Sequence, residues 1–412
     1  MVKFSRRKIN DFYQLFQKIL ERYQDRIERR RIITLKPEKS SIGNVLISYI
    51  TKPFLPNITP EQIRSHTQMW ECQQMAQTFL DMGYCVDVIN FYNDIFIPEK
   101  RYDFFIETRW NLQRSAPYLN PDCIKIFHAD TAHILFHNAA EAKRLLDLQQ
   151  RRGVTLAPRR FEQPNHALEH ADYAMVLGNE FTVGTYKYAN KPIYPISVST
   201  PVTYPWNESK DFDKCRKNFL FFSSGGMVHK GLDLALEAFV EMPDFHLTIC
   251  GPVDKEDDFV KAYYRELYET ENIHTVGWVD VSSDKFQEIA DNCIGLVYPS
   301  CSEGQSGAVI SCLHQGLIPI LSYKSGVTVD NFGLILPNCS IPAIKQAVNR
   351  ISQVSTADLK WMSRQAWEYA RANHTQERFA QVYKETIEKI QQNHNSRQSL
   401  NPQKLPVGVN RF

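Results

Sequence analysis

Short runs of β-branched and aromatic residues alternate with helical segments twice along the chain, and a stretch with prolines at residues 199–217 separates the two series. The strands predicted for the first series are residues 44–50, 84–90, 104–106, 124–127, 173–177 and 192–195. The strands predicted for the second series are residues 218–222, 246–250, 273–277, 295–298, 318–321 and 333–336. A helical pattern at residues 65–82, ended by Gly83, lies between the first two strands, so these strands are expected to pair in parallel.

This alternation restricts the fold class to α/β, because strands joined through helices form open parallel sheets with helices on both faces. The sequence predicts two Rossmann-like, doubly wound domains that face each other across a cleft, one over residues 43–205 and one over residues 215–373. Ligands of open parallel sheets bind at the carboxyl ends of the strands, so the cleft is the expected site.

Composition narrows the classes of partner. The chain has 412 residues with 48 Lys and Arg against 46 Asp and Glu, and this near balance argues against a nucleic-acid partner. No apolar run approaches the roughly 20 residues that span a bilayer, and the N-terminus lacks the apolar core of a signal peptide. The nine cysteines are scattered without a Cys-x-x-Cys pair, so no metal site is expected. These features predict a cytoplasmic protein.

The N-terminal segment, residues 1–35, is predicted to be a basic amphipathic helix. Apolar residues recur at three- and four-residue spacing over residues 4–31, and residues 1–31 hold ten Lys and Arg against four Asp and Glu. Two interpretations remain open. The helix packs on the protein and turns a basic face to solvent, or residues 1–33 make a peripheral contact with anionic lipid at the inner membrane surface.

Two other polar regions lie outside the strands. Residues 375–391 have the pattern of an amphipathic helix, and the polar, proline-containing tail at residues 393–412 is predicted to be disordered. The arginines at 151, 152, 159 and 160 are interpreted as a solvated face, with the flank of an anionic acceptor as the alternative.

The first loop that could carry chemistry is Phe221-Phe-Ser-Ser-Gly-Gly-Met-Val-His-Lys-Gly231, where a strand ends in a turn with glycines at 225 and 226. Glycines let backbone N–H groups approach a ligand closely, and a helix N-terminus with Lys230 beside it favours an anion such as a diphosphate. A structural turn with a surface lysine is the alternative. No Gly-Lys-Ser/Thr follows, so the loop is not a Walker loop.

The second such loop follows the strand that ends at Tyr298. It contains Glu303, then small residues from Gly304 to Gly307, and then a helix that Gly316 ends. A carboxylate at the carboxyl end of a strand accepts from two sugar hydroxyls at once, and the small residues leave amides open to phosphate. The alternative for Glu303 is a charge that stabilises the N-terminus of the helix.

These two loops resemble the C-terminal domain of retaining glycosyltransferases of family 4, which have the GT-B fold. The residues in register with the family signature are Pro299, Ser300, Glu303, Gly304, Gly316 and Pro319. The Lys230-Gly231 step with Ala238-Phe239 also fits, as does Ile249-Cys-Gly-Pro252. The resemblance covers most of residues 215–390 and is looser over residues 43–200.

The resemblance implies a glycosyltransferase of the hexosyltransferase type. It would move a sugar from a nucleotide-diphosphate sugar to a glycan, lipid-linked or polysaccharide acceptor, with retention of anomeric configuration and without a metal or other cofactor. The helix at residues 375–391 would cross back onto the N-terminal domain.

The resemblance also implies a role for each matching residue. Lys230 would bind the donor diphosphate beside Gly225 and Gly226, and Glu303 would hold hydroxyls of the donor sugar. Trp278 would lie near the nucleobase, and His128 or His133 would face the sugar from the N-terminal domain. The amides expected to meet phosphate or sugar belong to Gly304, Gln305, Ser306 and Gly307.

Two positions depart from the family pattern. Ser311 stands where a second glutamate would bond the nucleotide ribose, and Gly225 stands where an arginine would contact the diphosphate. Three interpretations remain open: another basic residue compensates for the missing arginine, the donor binds in a different position, or the protein has lost its activity. The alternative function is therefore a catalytically degenerate GT-B protein that binds or scaffolds. A Rossmann-type oxidoreductase is disfavoured because Gly-x-Gly-x-x-Gly follows neither first strand.

Overall fold

A computed structural model describes residues 27–64 and 66–400 of the chain. Its strands in the first series are β1 (Ile32–Leu35), β2 (Gly43–Tyr49), β3 (Tyr84–Asn90), β4 (Phe104–Glu107), β5 (Ile124–Ala129), β6 (Tyr173–Leu177) and β7 (Ile193–Ile196). Those in the second series are β8 (Asn218–Phe222), β9 (His246–Cys250), β10 (Ile273–Gly277), β11 (Gly295–Tyr298), β12 (Ile318–Ser322) and β13 (Leu334–Leu336).

Helices separate most of these strands. The helices before residue 200 are α1 (Pro60–Arg64), α2 (Thr67–Asp81), α3 (Asn111–Ser115), α4 (Ile134–Arg152), α5 (Ala167–His170) and α6 (Glu180–Gly184). Those between residues 200 and 300 are α7 (Phe212–Cys215), α8 (Met227–Lys230), α9 (Leu232–Val240), α10 (Asp257–Ala262), α11 (Tyr264–Tyr268) and α12 (Asp284–Asp291). The remaining helices are α13 (Gly307–Leu313), α14 (Ile341–Ser352), α15 (Thr356–Asn373) and α16 (Gln376–Leu400).

The described chain divides into two compact units. The first unit comprises the described residues up to 59, residues 72–127 and residues 165–172. Its strands follow the order β1-β3-β2-β4-β5, and all neighbours are parallel except β1, which runs antiparallel to β3. The strands between β1 and β5 carry a continuous buried apolar core, as parallel strands covered on both faces do.

The second unit comprises residues 60–71, residues 128–164 and the described residues from 173 onwards. In it β6 pairs with β7 in parallel, and the second series forms a six-stranded parallel sheet in the order β10-β9-β8-β11-β12-β13. Strands β8 and β11 are direct neighbours, with Gly295 opposite Phe219 and Leu296 opposite Leu220. Since parallel strands end at the same edge of a sheet, the loops after β8 and β11 are brought together.

The strand predictions are confirmed in both series, and so is the α/β class with parallel sheets. The predicted helix over residues 1–35 is wrong at its end, because residues 32–35 form β1 and residues 27–30 are helical. The β-branched run Ile32-Ile-Thr34 pairs with β3, and Thr34 donates to Asp87 at 2.7 Å. The part of that prediction over residues 1–26 lies outside the described residues. The two domain ranges stay predictions.

The C-terminal helix is longer than its pattern suggested. The prediction of disorder from residue 393 is wrong up to residue 400, because α16 continues to Leu400 and Asn393 donates to the Tyr194 hydroxyl. No proline lies between Gln376 and Pro402, and residues 401–412 lie outside the described part. Phe379 and Tyr383 of this helix pack on Trp70 and His128. Within the described residues, no helix combines the length and apolarity that crossing a membrane requires.

Candidate active site

The two loops singled out in the sequence bring Lys230 and Glu303 into contact. Lys230 is the last residue of α8, and Glu303 lies in the loop between β11 and α13. The Lys230 Nζ atom lies 2.5 Å from Glu303 Oε1, and the two side chains are only 4% and 11% exposed. The adjacency of β8 and β11 is what places a lysine and a glutamate 73 positions apart in one ion pair.

The two oxygens of the Glu303 carboxylate have different surroundings. Oε1 accepts from Lys230, from the Ser300 hydroxyl at 2.7 Å and from the Tyr298 hydroxyl at 3.0 Å. Among the described residues, none donates to Oε2. The protein therefore fixes one oxygen with three donors and leaves the other able to accept from a ligand.

Electrostatics keep this carboxyl ionised. Burial by itself would raise the pKa of Glu303, but the charges of Lys230, His229 and Arg160 lower it to about 2. Burial also lowers the pKa of Lys230, an effect that Glu303 opposes. A carboxylate and an ammonium that face each other in a buried position stabilise each other's charged forms.

The glycine loop already holds an anionic group. Gly226 has a φ of +92°, which a glycine adopts readily. The N–H of Gly226 donates to Glu256 Oε1 at 2.5 Å, and the N–H of Met227 donates to both oxygens of that carboxylate at 3.2 Å. Burial raises the pKa of Glu256. In this structure the Gly226 N–H expected to be open to a diphosphate is thus engaged by a carboxylate.

The loop before α13 is held by hydrogen bonds to α13 and to other segments of the second unit. Ser306 caps α13, and its hydroxyl accepts from Val309 N–H. Gln305 accepts from Val198 N–H at 2.7 Å and donates to the Gly326 carbonyl. The Gly304 carbonyl accepts from the Thr182 hydroxyl at 3.0 Å.

Two of the small positions near α13 differ in what surrounds them. A Cβ at Gly304 would collide with the Asp130 carbonyl, whereas one at Gly307 would lie 3.2 Å from the Thr67 hydroxyl. The Ser311 hydroxyl donates to the Gly307 carbonyl one turn earlier. This bond is typical of a serine in the interior of a helix.

The remaining predicted residues lie in other surroundings. His128 is buried at the end of β5, with its ring 6.3 Å from that of Tyr383. His133 is the residue before α4, and its Nε2 lies 2.9 Å from the Tyr188 hydroxyl. Trp278 follows β10 and is 61% exposed.

Helix α4 contributes a row of polar residues that the sequence analysis missed. His137, Glu141 and Arg144 recur at four- and three-residue spacing and are all buried, so they share one face of the helix. Charged residues at positions where an amphipathic helix normally carries apolar ones were the available signal.

The histidines of this row and of α8 are tied to the Glu303 loop. His137 Nδ1 lies 3.2 Å from the Ser302 hydroxyl, and His229 Nε2 lies 2.6 Å from the Ser302 carbonyl. His229 Nδ1 also lies 3.6 Å from Glu141. Burial and the neighbouring His229 lower the pKa of His137 to about 4, so His137 is neutral at pH 7.

The arginine row is partly solvated, with Arg151 and Arg159 exposed, but three of its four members pair with acidic residues. Arg151 pairs with Asp233 at 2.7 Å, Arg152 pairs with Glu266 at 2.6 Å, and Arg159 pairs with Asp258. Arg144 donates to the Pro299 carbonyl at 2.9 Å. These contacts connect α4 and the segment after it to α9, α10 and α11 and to the loop that follows β11.

Both residues of the buried pair lie in a stretch of sequence that matches a known family. Residues 216–353, which include Lys230 and Glu303, match the family described as Glycosyl transferases group 1. The match covers less than half of the chain. No curated protein matches the sequence.

Solved structures are similar at low identity. Sucrose-phosphate synthase from Thermosynechococcus elongatus has a TM-score of 0.57 and 15% identity, covering 88% of this chain and 100% of that one. HepE from Anabaena, in complex with UDP-glucose, has a TM-score of 0.53 and 11% identity, covering 84% of this chain and 99% of that one. For a mutant of S. aureus TarM the TM-score is 0.47 and the identity 14%, and the match covers 71% of this chain but only 55% of that one. On the family match and the fold together, the protein is a glycosyltransferase enzyme with the GT-B fold.

Proposed function

We propose that this glycosyltransferase moves a sugar from a nucleotide-diphosphate sugar to a glycan, lipid-linked or polysaccharide acceptor. The observation that carries the proposal is the buried Lys230–Glu303 pair at the end of two neighbouring parallel strands. Binding at the carboxyl ends of strands is the rule for open parallel sheets. The similar HepE structure is in complex with UDP-glucose, which makes UDP-glucose the first donor to test.

In this proposal Glu303 holds the sugar. Its Oε2 accepts hydroxyl protons, and these bonds are strong because the carboxylate is ionised at neutral pH. Three donors already occupy Oε1, so the second oxygen has a fixed direction. The anchored, ionised carboxylate selects a hydroxylated ligand over an apolar one.

Lys230 acts on the leaving group. An ammonium has three N–H donors, and among the described residues only Glu303 accepts from this one. The other two hydrogens are available to the diphosphate as the bond from the sugar to the phosphate oxygen breaks. A fixed cation at a point where negative charge develops is a strong catalytic element.

Retention of configuration and membership of family 4 form part of the proposal and rest on the sequence resemblance. We propose no metal or other cofactor. Proton NMR of the product made from a UDP-α-sugar tests retention: an α-product supports it and a β-product overturns it. Transfer that persists in EDTA supports a metal-independent reaction.

The principal experiment measures transfer from a panel of nucleotide sugars, with UDP-glucose first, onto glycan and lipid-linked acceptors. We expect Lys230→Ala and Glu303→Ala each to lower the transfer rate by about 100-fold or more. Lys143→Ala, at an exposed lysine of α4, is the matched control and should transfer as the wild type does. Unchanged rates in both site variants would overturn the proposal. A folded wild type that binds no nucleotide sugar would favour the degenerate binding protein instead.

The acceptor side of the proposal includes a cytoplasmic location and a peripheral membrane contact through residues 1–33. Because β1 begins at Ile32, a truncation to residue 33 would remove part of this strand. The experiment therefore uses the full chain and substitutes charged residues that precede β1. Arg6→Gln, Arg7→Gln and Lys8→Gln in one variant should reduce flotation with anionic liposomes. Equal recovery of the variant and the wild type with the liposomes would contradict the proposed membrane contact.

A further inference from the structure

We propose that Arg160 supplies a second cation to the anionic donor, beside Lys230. This inference rests on the proposed function and names a residue outside the matched range of 216–353. Arg160 lies in the segment between α4 and α5, within the second unit. Its role would be to bind the phosphates of the donor directly.

The first argument is that the Arg160 guanidinium forms no ion pair with any of the described residues. Its three companions in the arginine row pair with Asp233, Glu266 and Asp258. Among the described residues, none forms an ion pair or a hydrogen bond with the guanidinium of Arg160, although its side chain is half-buried. Partly buried cations are normally paired, so an unpaired one is suited to an anion from outside the chain.

The second argument is where the side chain lies. A Cβ built on Gly226 would be 2.7 Å from the Arg160 Cγ and 3.0 Å from its Cδ. The stem of Arg160 therefore lies against the Gly226 Cα, at the residue that immediately precedes α8. The charge of Arg160 helps to lower the pKa of both Glu303 and Lys230, as a nearby cation does.

The third argument is that the backbone of Arg160 is fixed from both sides. Its N–H donates to both oxygens of Glu141, at 3.1 and 3.0 Å, and its carbonyl lies 2.8 Å from His137 Nε2. Glu141 and His137 are buried on α4. The base of the side chain is thus anchored before any ligand arrives, which reduces the ordering that binding requires.

The fourth argument is the local balance of charge. The ammonium of Lys230 is matched by Glu303, and the amides of Gly226 and Met227 already bond Glu256. Without Arg160 the cluster offers a diphosphate little net positive charge. The guanidinium adds one, and its planar fork bonds two phosphate oxygens at once.

The test compares Arg160→Gln with Arg159→Gln in the full chain. Arg159 is the neighbouring arginine and is paired with Asp258, so it is the matched control. Calorimetry with UDP and UDP-glucose measures the affinity for ligands that carry phosphates. Calorimetry with uridine measures the affinity for the nucleoside alone. We expect Arg160→Gln to weaken the binding of UDP by about 10- to 100-fold and to leave the binding of uridine unchanged. Arg159→Gln should bind UDP as the wild type does.

A conservative variant separates charge from structure. Arg160→Lys keeps the positive charge but lacks the planar guanidinium that bonds two oxygens at once. It should therefore bind UDP more tightly than Arg160→Gln but more weakly than the wild type. UDP binding by Arg160→Gln equal to that of the wild type would overturn the role of Arg160 and leave the proposed function standing. A wild type that binds none of UDP, GDP, ADP or dTDP would overturn both. If Arg160→Gln weakened the binding of UDP and of uridine by the same factor, the role of Arg160 would be structural, and this result would also overturn the inference.

Discussion

One oxygen of Glu71 accepts both the backbone N–H and the hydroxyl of Ser199, at 2.6 and 3.0 Å, although 128 positions separate the two residues. Glu71 is fully buried on α2. Burial raises the pKa of this carboxyl to about 8, even though the two bonds from Ser199 oppose the rise. The protonated form of Glu71 is therefore favoured in the folded protein over much of the acid and neutral range.

We expect Glu71 to make stability fall as pH rises. The folded protein binds this proton more tightly than the unfolded chain, so the contribution is complete below about pH 4.5 and lost by about pH 8. Each unit of pKa corresponds to about 1.4 kcal/mol. Glu71→Gln, which mimics the protonated form, should flatten the decline in urea unfolding measured at pH 5, 7 and 9. The exposed Glu377→Gln is the control, and a slope like that of the wild type in Glu71→Gln would contradict the expectation.

Gly304 should tolerate no side chain. A Cβ there would meet the backbone oxygen of Asp130 and, at 2.9 Å, the nitrogen of Thr131, neither of which moves easily. Gly304→Ala should lower the free energy of unfolding by about 1–3 kcal/mol in denaturant titrations. Gly184 in α6 has no atom within 4 Å of such a Cβ, so Gly184→Ala should be neutral or slightly stabilising. Equal effects of the two changes would show that the packing around Gly304 is looser than described.

The Lys230–Glu303 pair should show strong coupling in stability as well as in activity. Lys230→Met and Glu303→Gln each leave a buried charge without its partner, at about 3–5 kcal/mol, and the double variant should lose clearly less than their sum. The exposed pair Lys143–Asp147 gives the control cycle, with coupling of about 0.5 kcal/mol or less. Urea unfolding of all variants measures both cycles. Additive losses at Lys230 and Glu303 would mean that the pair does not form.

Arg151 should stabilise the protein more than an exposed cation does. It pairs at 2.7 Å with Asp233, which is 0% exposed, so Arg151→Gln leaves that carboxylate with a weaker partner. The expected loss is about 1–3 kcal/mol by thermal or urea unfolding. Lys345→Gln, at the more exposed pair with Glu241, should change stability by about 0.5 kcal/mol or less. Asp233→Asn in the Arg151→Gln background should restore part of the loss, and no restoration would count against the pair.

The parts of the fold that local pattern determines were predictable. Each predicted strand depends on a run of β-branched or aromatic residues, and the helix ended by Gly83 was found in the same way. β1 was missed because Ile32–Leu35 follows directly on a helical pattern and is held by pairing with β3. The extension of α16 to Leu400 is not evident from the sequence, because the polar residues after Gln392 fit a solvated helix and a disordered tail equally well.

The candidate site was predictable only where it follows strand ends. Lys230 and Glu303 could be named because each lies in a loop after a predicted strand and in register with the family pattern, and the pairing of β8 with β11 then brings the two loops together. The contacts of Glu256 and of Arg160 with Gly226 could not be predicted. Both residues lie in segments whose position depends on long-range packing. The contact of Ser311 could not be predicted either, because the motif position alone does not show that its hydroxyl donates to the Gly307 carbonyl of the same helix.

The three donors on one oxygen of Glu303 have a consequence for recognition. A glutamate in water samples many rotamers, and a ligand that binds it must bear the entropy of selecting one. Here that selection is made during folding, since Lys230, Ser300 and Tyr298 immobilise the carboxylate. For the sugar that we propose binds here, a ring in the wrong orientation would find no side chain able to rotate toward it, so discrimination between epimers would follow from the rigidity of the carboxylate.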